Sequence, residues 1–287
     1  MKKQRALLIL FCFVWSAAGC GNRYTEPAYS QEETLVQGED SLSPHTGALV
    51  TLDAERLSSE QVVWGPGREM DAENRPTACV ELQEKYGRYG AVFLTEEEGI
   101  CLTFDEGYEN GYTAQILDVL KENNVPAAFF VTGPYLDKEE ELVRRMFDEG
   151  HIVGNHTVHH PSMPQLESTD KAAEEVVKLT EMCKEKYGQD MKYFRPPRGE
   201  YSERTLRLTS DLGYTNVFWS FAYKDWDVKN QKGTEYAYDQ IKKGVHDGAV
   251  LLLHAVSKDN ADVLDRVIKD LKSEGYHFRS LDEFGKQ

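Results

Sequence analysis

Two carboxylates stand side by side at Asp105 and Glu106, and three histidines fall within five residues at His156, His159 and His160. Another, His254, ends the apolar run Leu251-Leu252-Leu253. Carboxylates and imidazoles move protons near neutral pH and also ligate metal ions. Neighbouring strand residues face opposite ways, so Asp105 and Glu106 serve one site only if the chain turns there; Gly107 permits a turn. His156 and His160 are four apart. If that stretch turns helically, both imidazoles share one face, a geometry in which two His hold one metal, and His159 points away. Arg195-Pro196-Pro197-Arg198-Gly199 holds two prolines without N–H groups, so Arg198 offers the first free backbone donor on a stiff segment. A preset N–H suits a developing oxyanion. Asp225 stands next to Trp226. Taken singly, each group has a plainer reading: a solvated loop, a core histidine, a simple turn. Together they shift the balance toward a site.

The elements that must position these groups alternate. Gly99 to Phe104, Val125 to Val131, His151 to Gly154, Tyr193-Phe194, Tyr214 to Trp219 and Ala249 to Leu253 read as short buried strands. Between them lie a helix carrying Ile116, Leu117 and Leu120, helices over 139–149, 170–187 and 235–244, one capped by Ser202, and a last one over 261–273. Gly150, Gly213 and Gly275 each stop a helix before a strand. Such alternation predicts a parallel sheet with crossover helices. Six or seven units in about 190 residues fit a barrel better than a small open sheet, and barrel chemistry sits where strands end. Each candidate group follows a strand.

The chain of 287 residues carries 33 Lys and Arg against 49 Asp and Glu, a net charge of −16. That excludes a general electrostatic pull toward nucleic acid or anionic lipid. Five cysteines give no disulfide framework in a chain this long. Residues 1–20 read as an export signal: Lys2, Lys3 and Arg5, then an apolar run from Ala6 to Trp15, then small residues before Cys20. The end of this segment resembles a bacterial lipobox, apart from Ala17 where Leu is usual. A lipid on Cys20 would tether the chain to the outer face of the cell membrane; ordinary cleaved secretion and an uncleaved anchor are the alternatives, and all three place the folded part outside the cytoplasm. Residues 21–60, rich in Glu, Ser, Thr and Gly, read as a solvated tether.

Thr103-Phe104-Asp105-Glu106-Gly107 resembles the TFDDG motif of polysaccharide deacetylases, the NodB-homology enzymes of carbohydrate esterase family 4. His156-Thr157-Val158-His159-His160, Arg195-Pro196-Pro197, Asp225-Trp226 and Leu252-Leu253-His254 are similar to the family's other four motifs, in order. The resemblance covers about residues 95–285. Gly107 to Thr113, Arg198-Gly199 and His254 to Asp262 look like the delta-lactam-biosynthetic branch, and Trp64 to about Phe93 resembles that branch's N-terminal extension, here expected over 61–94.

The resemblance implies a distorted (β/α) barrel of about seven parallel strands. It implies hydrolysis of the N-acetyl group of N-acetylmuramic acid in peptidoglycan glycan strands, on the way to a muramic delta-lactam, with a muramoyl amidase stripping the peptide first. It assigns Asp105 as general base and His254 as general acid. Arg195 would orient Asp105, and Asp225 would hold the tautomer of His254. A divalent metal, zinc, manganese or similar, would be held by Glu106, His156 and His160. The Arg198 N–H would bind the oxyanion, and Trp226 and Leu252 would line the acetyl pocket. Two residues depart from the pattern: Glu106 replaces an Asp, adding one methylene, and Ala222 stands where many relatives have Asp. Another N-acetylated glycan, of the N-acetylglucosamine or chitin type, is the alternative substrate. A non-catalytic glycan-binding relative is the third reading; loss of Asp105 or His254 would favour it, and both are present.

Overall fold

A computed structural model describes residues 52–283. The export signal, Cys20 and most of the expected tether lie outside the described residues. After a short helix α1 (Leu52–Glu55), strand β1 (Val62–Val63) pairs antiparallel with β7 (Glu200–Tyr201). The main sheet holds seven parallel strands: β2 (Ala91–Val92), β3 (Ile100–Glu106), β4 (Ala127–Val131), β5 (Ile152–Asn155), β6 (Tyr193–Phe194), β8 (Thr215–Val217) and β9 (Ala249–His254). Their order is β2-β8-β6-β5-β4-β3-β9. Every residue of β3 and β4 is buried, as expected of parallel strands covered on both faces.

The sheet curls. Beyond β8 the chain runs alongside β9: Ser220 N donates to Val250 O at 2.9 Å, Leu252 N donates to Phe221 O at 2.8 Å, and Phe221 bridges Leu251 in parallel. Curling gives the sheet an inside and an outside. Period-two alternation then sorts the residues of β3. Cys101 packs inside with Ala128, Phe130, Val217 and Val250. Ile100, Leu102 and Phe104 pack outside against the helices, with Phe104 stacked on Phe129 at 5.1 Å.

The helices follow their apolar spacing. They are α2 (Thr77–Tyr86), α3 (Thr113–Glu122), α4 (Gly133–Lys138), α5 (Glu140–Asp148), α6 (Thr169–Tyr187), α7 (Glu203–Asp211), α8 (Thr234–Gly244) and α9 (Lys258–Ser273). Ser168, Ser202 and Ser257 cap α6, α7 and α9, each side chain accepting a backbone N–H at 3.2 Å. Sequence periodicity misses α4, which begins with Gly133-Pro134 directly after β4.

One boundary needs correction. The extension expected over 61–94 does not end beside the sheet: its Ala91–Val92 is a strand of it, in register with Asn216–Val217 of β8. Two residues are too short to carry a period, so only the pairing reveals them. The rest of the segment packs through Trp64, whose ring meets Phe93 at 4.8 Å and whose indole N–H donates to Trp219 O at 3.0 Å.

Candidate active site

Asp105 lies one residue from the end of β3 and faces inside. Directly beneath it, Arg195 is fully buried, just after β6. Its Nη1 donates to Asp105 Oδ1 at 2.7 Å and its Nη2 to Thr103 Oγ1 at 2.8 Å. Nε donates to Val217 O at 3.0 Å, and Nη2 also to Phe218 O at 3.0 Å. The guanidinium lies over the Phe130 ring at 4.2 Å. Burial alone would raise the Asp105 pKa. The Arg195 charge and hydrogen bond, together with the fields of His156 and His254, outweigh it and hold the carboxyl below its ordinary value. Asp105 is therefore a largely buried, ionised carboxylate.

His156 follows β5. Its Nδ1 lies 2.8 Å from Arg195 O, and because a carbonyl only accepts, Nδ1 carries the proton. Nε2 points at Asp105 Oδ2 across 3.5 Å. Burial holds the His156 pKa below its ordinary value, against the pull of Asp105, so Nε2 presents a lone pair. The rings of His156 and His160 meet at 4.8 Å. They converge without a helix. Thr157 and His160 both have left-handed backbone, φ 66° and 58°, and Thr157 Oγ1 accepts the His160 N–H at 2.9 Å. The helical expectation for 156–160 fails, and a tight turn with two such residues delivers the same pair. Burial, with His156 beside it, pushes the His160 pKa down to about 4. His159 turns to solvent and pairs with Glu175 at 2.7 Å.

His254 ends β9, beside Asp105 in register. Its Nδ1 meets Asp225 Oδ1 at 2.8 Å, and its backbone N donates to Asp225 Oδ2 at 2.8 Å. Burial lowers the His254 pKa, but the charge and hydrogen bond of Asp225, with the Asp105 anion, together raise it above the ordinary value. Asn260 and Tyr223, given no role by sequence reasoning, complete this arm. Asn260 Nδ2 donates to Asp225 Oδ2 at 2.6 Å and to His254 O at 3.2 Å, and the Tyr223 hydroxyl donates to Asn260 Oδ1. The Ser257 cap places Asn260 in the first turn of α9. A capping serine shortly after a strand-ending His is the signal that could have found it.

Asp105, His156, His160 and His254 line one cavity of about 610 Å³, with Trp219, Tyr223 and Leu252 among its walls. Ala222, Arg198, Trp226 and Tyr108 line it too. Leu252 is buried. Trp226 is 54% exposed and lines the cavity at its mouth. Arg198 has φ 59°, and its side chain, 51% exposed, lies 3.5 Å from Glu200. Gly199 follows at φ 66°, where a Cβ would meet the Trp219 ring at 2.8 Å. The Gly199 carbonyl accepts the Trp64 N–H at 2.9 Å, so the extension braces the loop that carries Arg198.

The polysaccharide deacetylase family profile matches residues 94–217. The chain is 46% identical over 238 residues to the peptidoglycan-N-acetylmuramic acid deacetylase PdaA of Bacillus subtilis, covering 80% of this chain and 88% of that one. The PdaA structure, described as a family 4 carbohydrate esterase, superposes with a TM-score of 0.75 at 44% identity, covering 79% of this chain and 98% of that one. A family 4 carbohydrate esterase of Bacillus anthracis gives 0.66 at 43% identity over 80% and 98%. A peptidoglycan-N-acetylglucosamine deacetylase of Bacillus cereus is 34% identical over 190 residues, 63% of this chain and 66% of that one. The chain belongs to the polysaccharide deacetylase family, carbohydrate esterase family 4. It is thus a hydrolase of amide bonds on a curled sheet of seven parallel strands.

This deacetylase does not assemble the metal set expected from its motifs. Its family is in general metal-dependent, and two neutral imidazoles are suitable donors. Glu106, however, is not their neighbour. Strand β3 runs on through it, paired with Val131 of β4, so no turn occurs before Gly107. Alternation therefore puts Glu106 on the outer face, opposite Asp105. It is fully buried, it does not line the cavity, and neither carboxylate oxygen has a hydrogen-bond partner. Among the described residues no three His, Cys, Asp or Glu side chains are grouped to hold a metal. The departure from Asp to Glu thus changes more than a ligand's length.

Burial, then the Glu109 and Asp105 carboxylates, push the Glu106 pKa well above its ordinary 4.5. The folded chain then holds this proton more tightly than the unfolded one, so stability falls as pH rises from the unfolded toward the folded pKa. Glu106→Gln removes that slope. Unfolding temperatures at pH 5 and pH 8 will lie closer together than in the wild type. The variant will gain at pH 8 about 2–4 °C for each kcal/mol recovered. An unchanged difference between the two pH values would refute the assignment.

Proposed function

We propose that this chain removes the N-acetyl group from N-acetylmuramic acid in peptidoglycan, producing the free amine that can close a muramic delta-lactam. The observation that carries this reading is the pairing of an ionised Asp105 with a raised-pKa His254 across one cavity. The 46% identity to a muramic acid deacetylase supports the choice of sugar.

A water seated against Asp105 Oδ2 and His156 Nε2 is the nucleophile. Asp105 takes its proton as the water oxygen bonds to the amide carbon. The Arg198 N–H receives the developing oxyanion. His254 has its Nδ1 on Asp225, so Nε2 carries the proton that passes to the leaving nitrogen as the C–N bond breaks. Acetate and the amine result. Arg195 keeps Asp105 ionised and aimed, Leu252 packs on the acetyl methyl, and Trp226 faces the sugar. Because a lactam needs the lactyl carboxyl free, a muramoyl amidase acting first is the natural partner. Spore cortex is the wall in which such lactams are made. The substrate lies outside the cytoplasm, in keeping with an exported chain held by a lipid on Cys20.

The kcat/KM profile will rise on the acid side as Asp105 ionises, below its ordinary 3.8, and fall on the alkaline side as His254 deprotonates above 6.5. Asp225→Asn removes the anion that raises His254. Its alkaline limb will move to lower pH and kcat at the optimum will fall about tenfold or more. A limb that stayed in place would show that another group is the acid.

The reading is tested with the chain lacking residues 1–20 on glycan strands with and without stem peptides, scored by mass spectrometry for acetyl loss on each sugar. Loss confined to peptide-free muramic acid is expected. Loss on glucosamine instead would favour the second reading, for which the 34% identity to a peptidoglycan-N-acetylglucosamine deacetylase is the supporting observation. No loss on either sugar would leave a glycan-binding role.

A further inference from the structure

Tyr108 is an aromatic residue that the reaction does not use, yet it is 54% exposed and lines the catalytic cavity. Among the described residues its ring meets no other ring and its hydroxyl makes no hydrogen bond. The loop around it is nonetheless fastened. The Glu109 carboxylate accepts N–H groups of Gly111 and Thr113 and the hydroxyls of Thr113 and Tyr135, the last at 3.3 Å. Asn110 Nδ2 donates to Val256 O at 2.9 Å, tying the loop to the chain just beyond His254. A large apolar face held still and left in water at the edge of a site has the form of a ligand contact.

Topology tells where it stands. Tyr108 follows β3, which pairs with β9 on one side. The segment of Phe221, which leads to Trp226, pairs with β9 on the other. The end of β9, bearing His254, therefore lies between two loops, and each presents a half-exposed aromatic ring to the same cavity. A single sugar with its acetamide at Asp105 and His254 occupies the middle. A flat pyranose face, rich in C–H groups, is the ligand that two such platforms on either side would take.

We propose that Tyr108 is the platform of a second sugar subsite, stacking on the ring next to the one deacetylated, with Trp226 serving the opposite flank. The substrate then engages the protein through at least two neighbouring sugars. This rests on the deacetylase reading of the cavity.

The test compares wild type, Tyr108→Ala and Tyr108→Phe on peptide-free N-acetylated glycan fragments of one, two and four sugars. Binding of the four-sugar fragment is measured separately by tryptophan fluorescence in an Asp105→Asn background. Tyr108→Ala should lower kcat/KM on four sugars about tenfold, through KM, with a loss that shrinks as the fragment shortens. Tyr108→Phe, which keeps the ring, should restore it, and binding should weaken by the same factor in Tyr108→Ala. A loss of equal size at every length, or no loss on four sugars, overturns the subsite. If the wild type releases acetate from none of the fragments, the deacetylase reading fails, while the binding comparison still decides whether Tyr108 holds a sugar.

Discussion

Asp105→Asn lowers kcat for deacetylation by about 10²–10⁴-fold, the usual worth of a positioned general base. The amide matches the carboxylate in shape, so its oxygen still accepts from Arg195 Nη1, now 2.7 Å from Asp105 Oδ1. The guanidinium keeps its bonds to Thr103, Val217 and Phe218. What goes is the negative charge that draws a proton from water. KM should therefore move little, and the four-sugar fragment should still bind. Steady-state acetate release gives the split between the two constants. A variant retaining more than about a tenth of wild-type kcat would show that Asp105 is not the base.

Arg195→Leu unfolds the site from within. Arg195 is among the largest fully buried side chains of the described residues, and its guanidinium makes four hydrogen bonds, one of them to a buried carboxylate. Leucine leaves Asp105 charged, buried and unpaired, and breaking such a pair from one side costs about 3–5 kcal/mol. Urea denaturation at pH 7 should show a midpoint lowered by that free energy divided by the slope, with the slope itself unchanged. The loss depends on pH. The folded pKa of Asp105 is depressed, so its stabilisation is present above the ordinary 3.8 and fades as pH falls through the folded value. The gap between wild type and Arg195→Leu should therefore narrow in acid. A midpoint shift worth less than about 1 kcal/mol at pH 7 would mean that the pair is not structural.

The two effects have one origin. Arg195 spans the inside of the curled sheet, reaching residues of β3 and β8 from its place after β6. It joins three strands whose sequence positions lie far apart, and it holds the base where the cavity opens. Strain is concentrated in the same place: Thr157, His160 and Arg198, three of the five non-glycine residues with left-handed backbone among those described, sit on loops at this site.

Much of this was legible from the amino-acid order alone. The apolar run Val125 to Val131 contains a strand, Ala127–Val131, because a run this short between breakers is buried most readily in a sheet. Gly150, Gly213 and Gly275 stop helices with φ of 80°, 86° and 98°, conformations that cost a Cβ-free residue nothing. Ser202 caps its helix as its position implies. The residue types that follow each strand announced a site, because parallel strands in a barrel deliver their ends to one side. Asp105, His156, His160, Arg195, Arg198, Asp225, Trp226, Leu252 and His254 could all be named from the sequence.

Only the tertiary structure decided how those residues face. Asp105 and Glu106 look equivalent on paper, but pairing with Val131 extends β3 through both and sends their side chains to opposite faces. Ala91 and Val92 become a strand only because Asn216 and Val217 lie beside them. Asn260 reaches Asp225 across 35 residues and Tyr223 reaches Asn260 across 37, a geometry with no period to read. Tyr108 and Trp226 share a cavity because β9 lies between their strands. Local sequence sets the period of an element and where it stops. Which face is buried, and which distant side chain meets it, depends on long-range pairing, and that energy does not appear in any window of neighbouring residues.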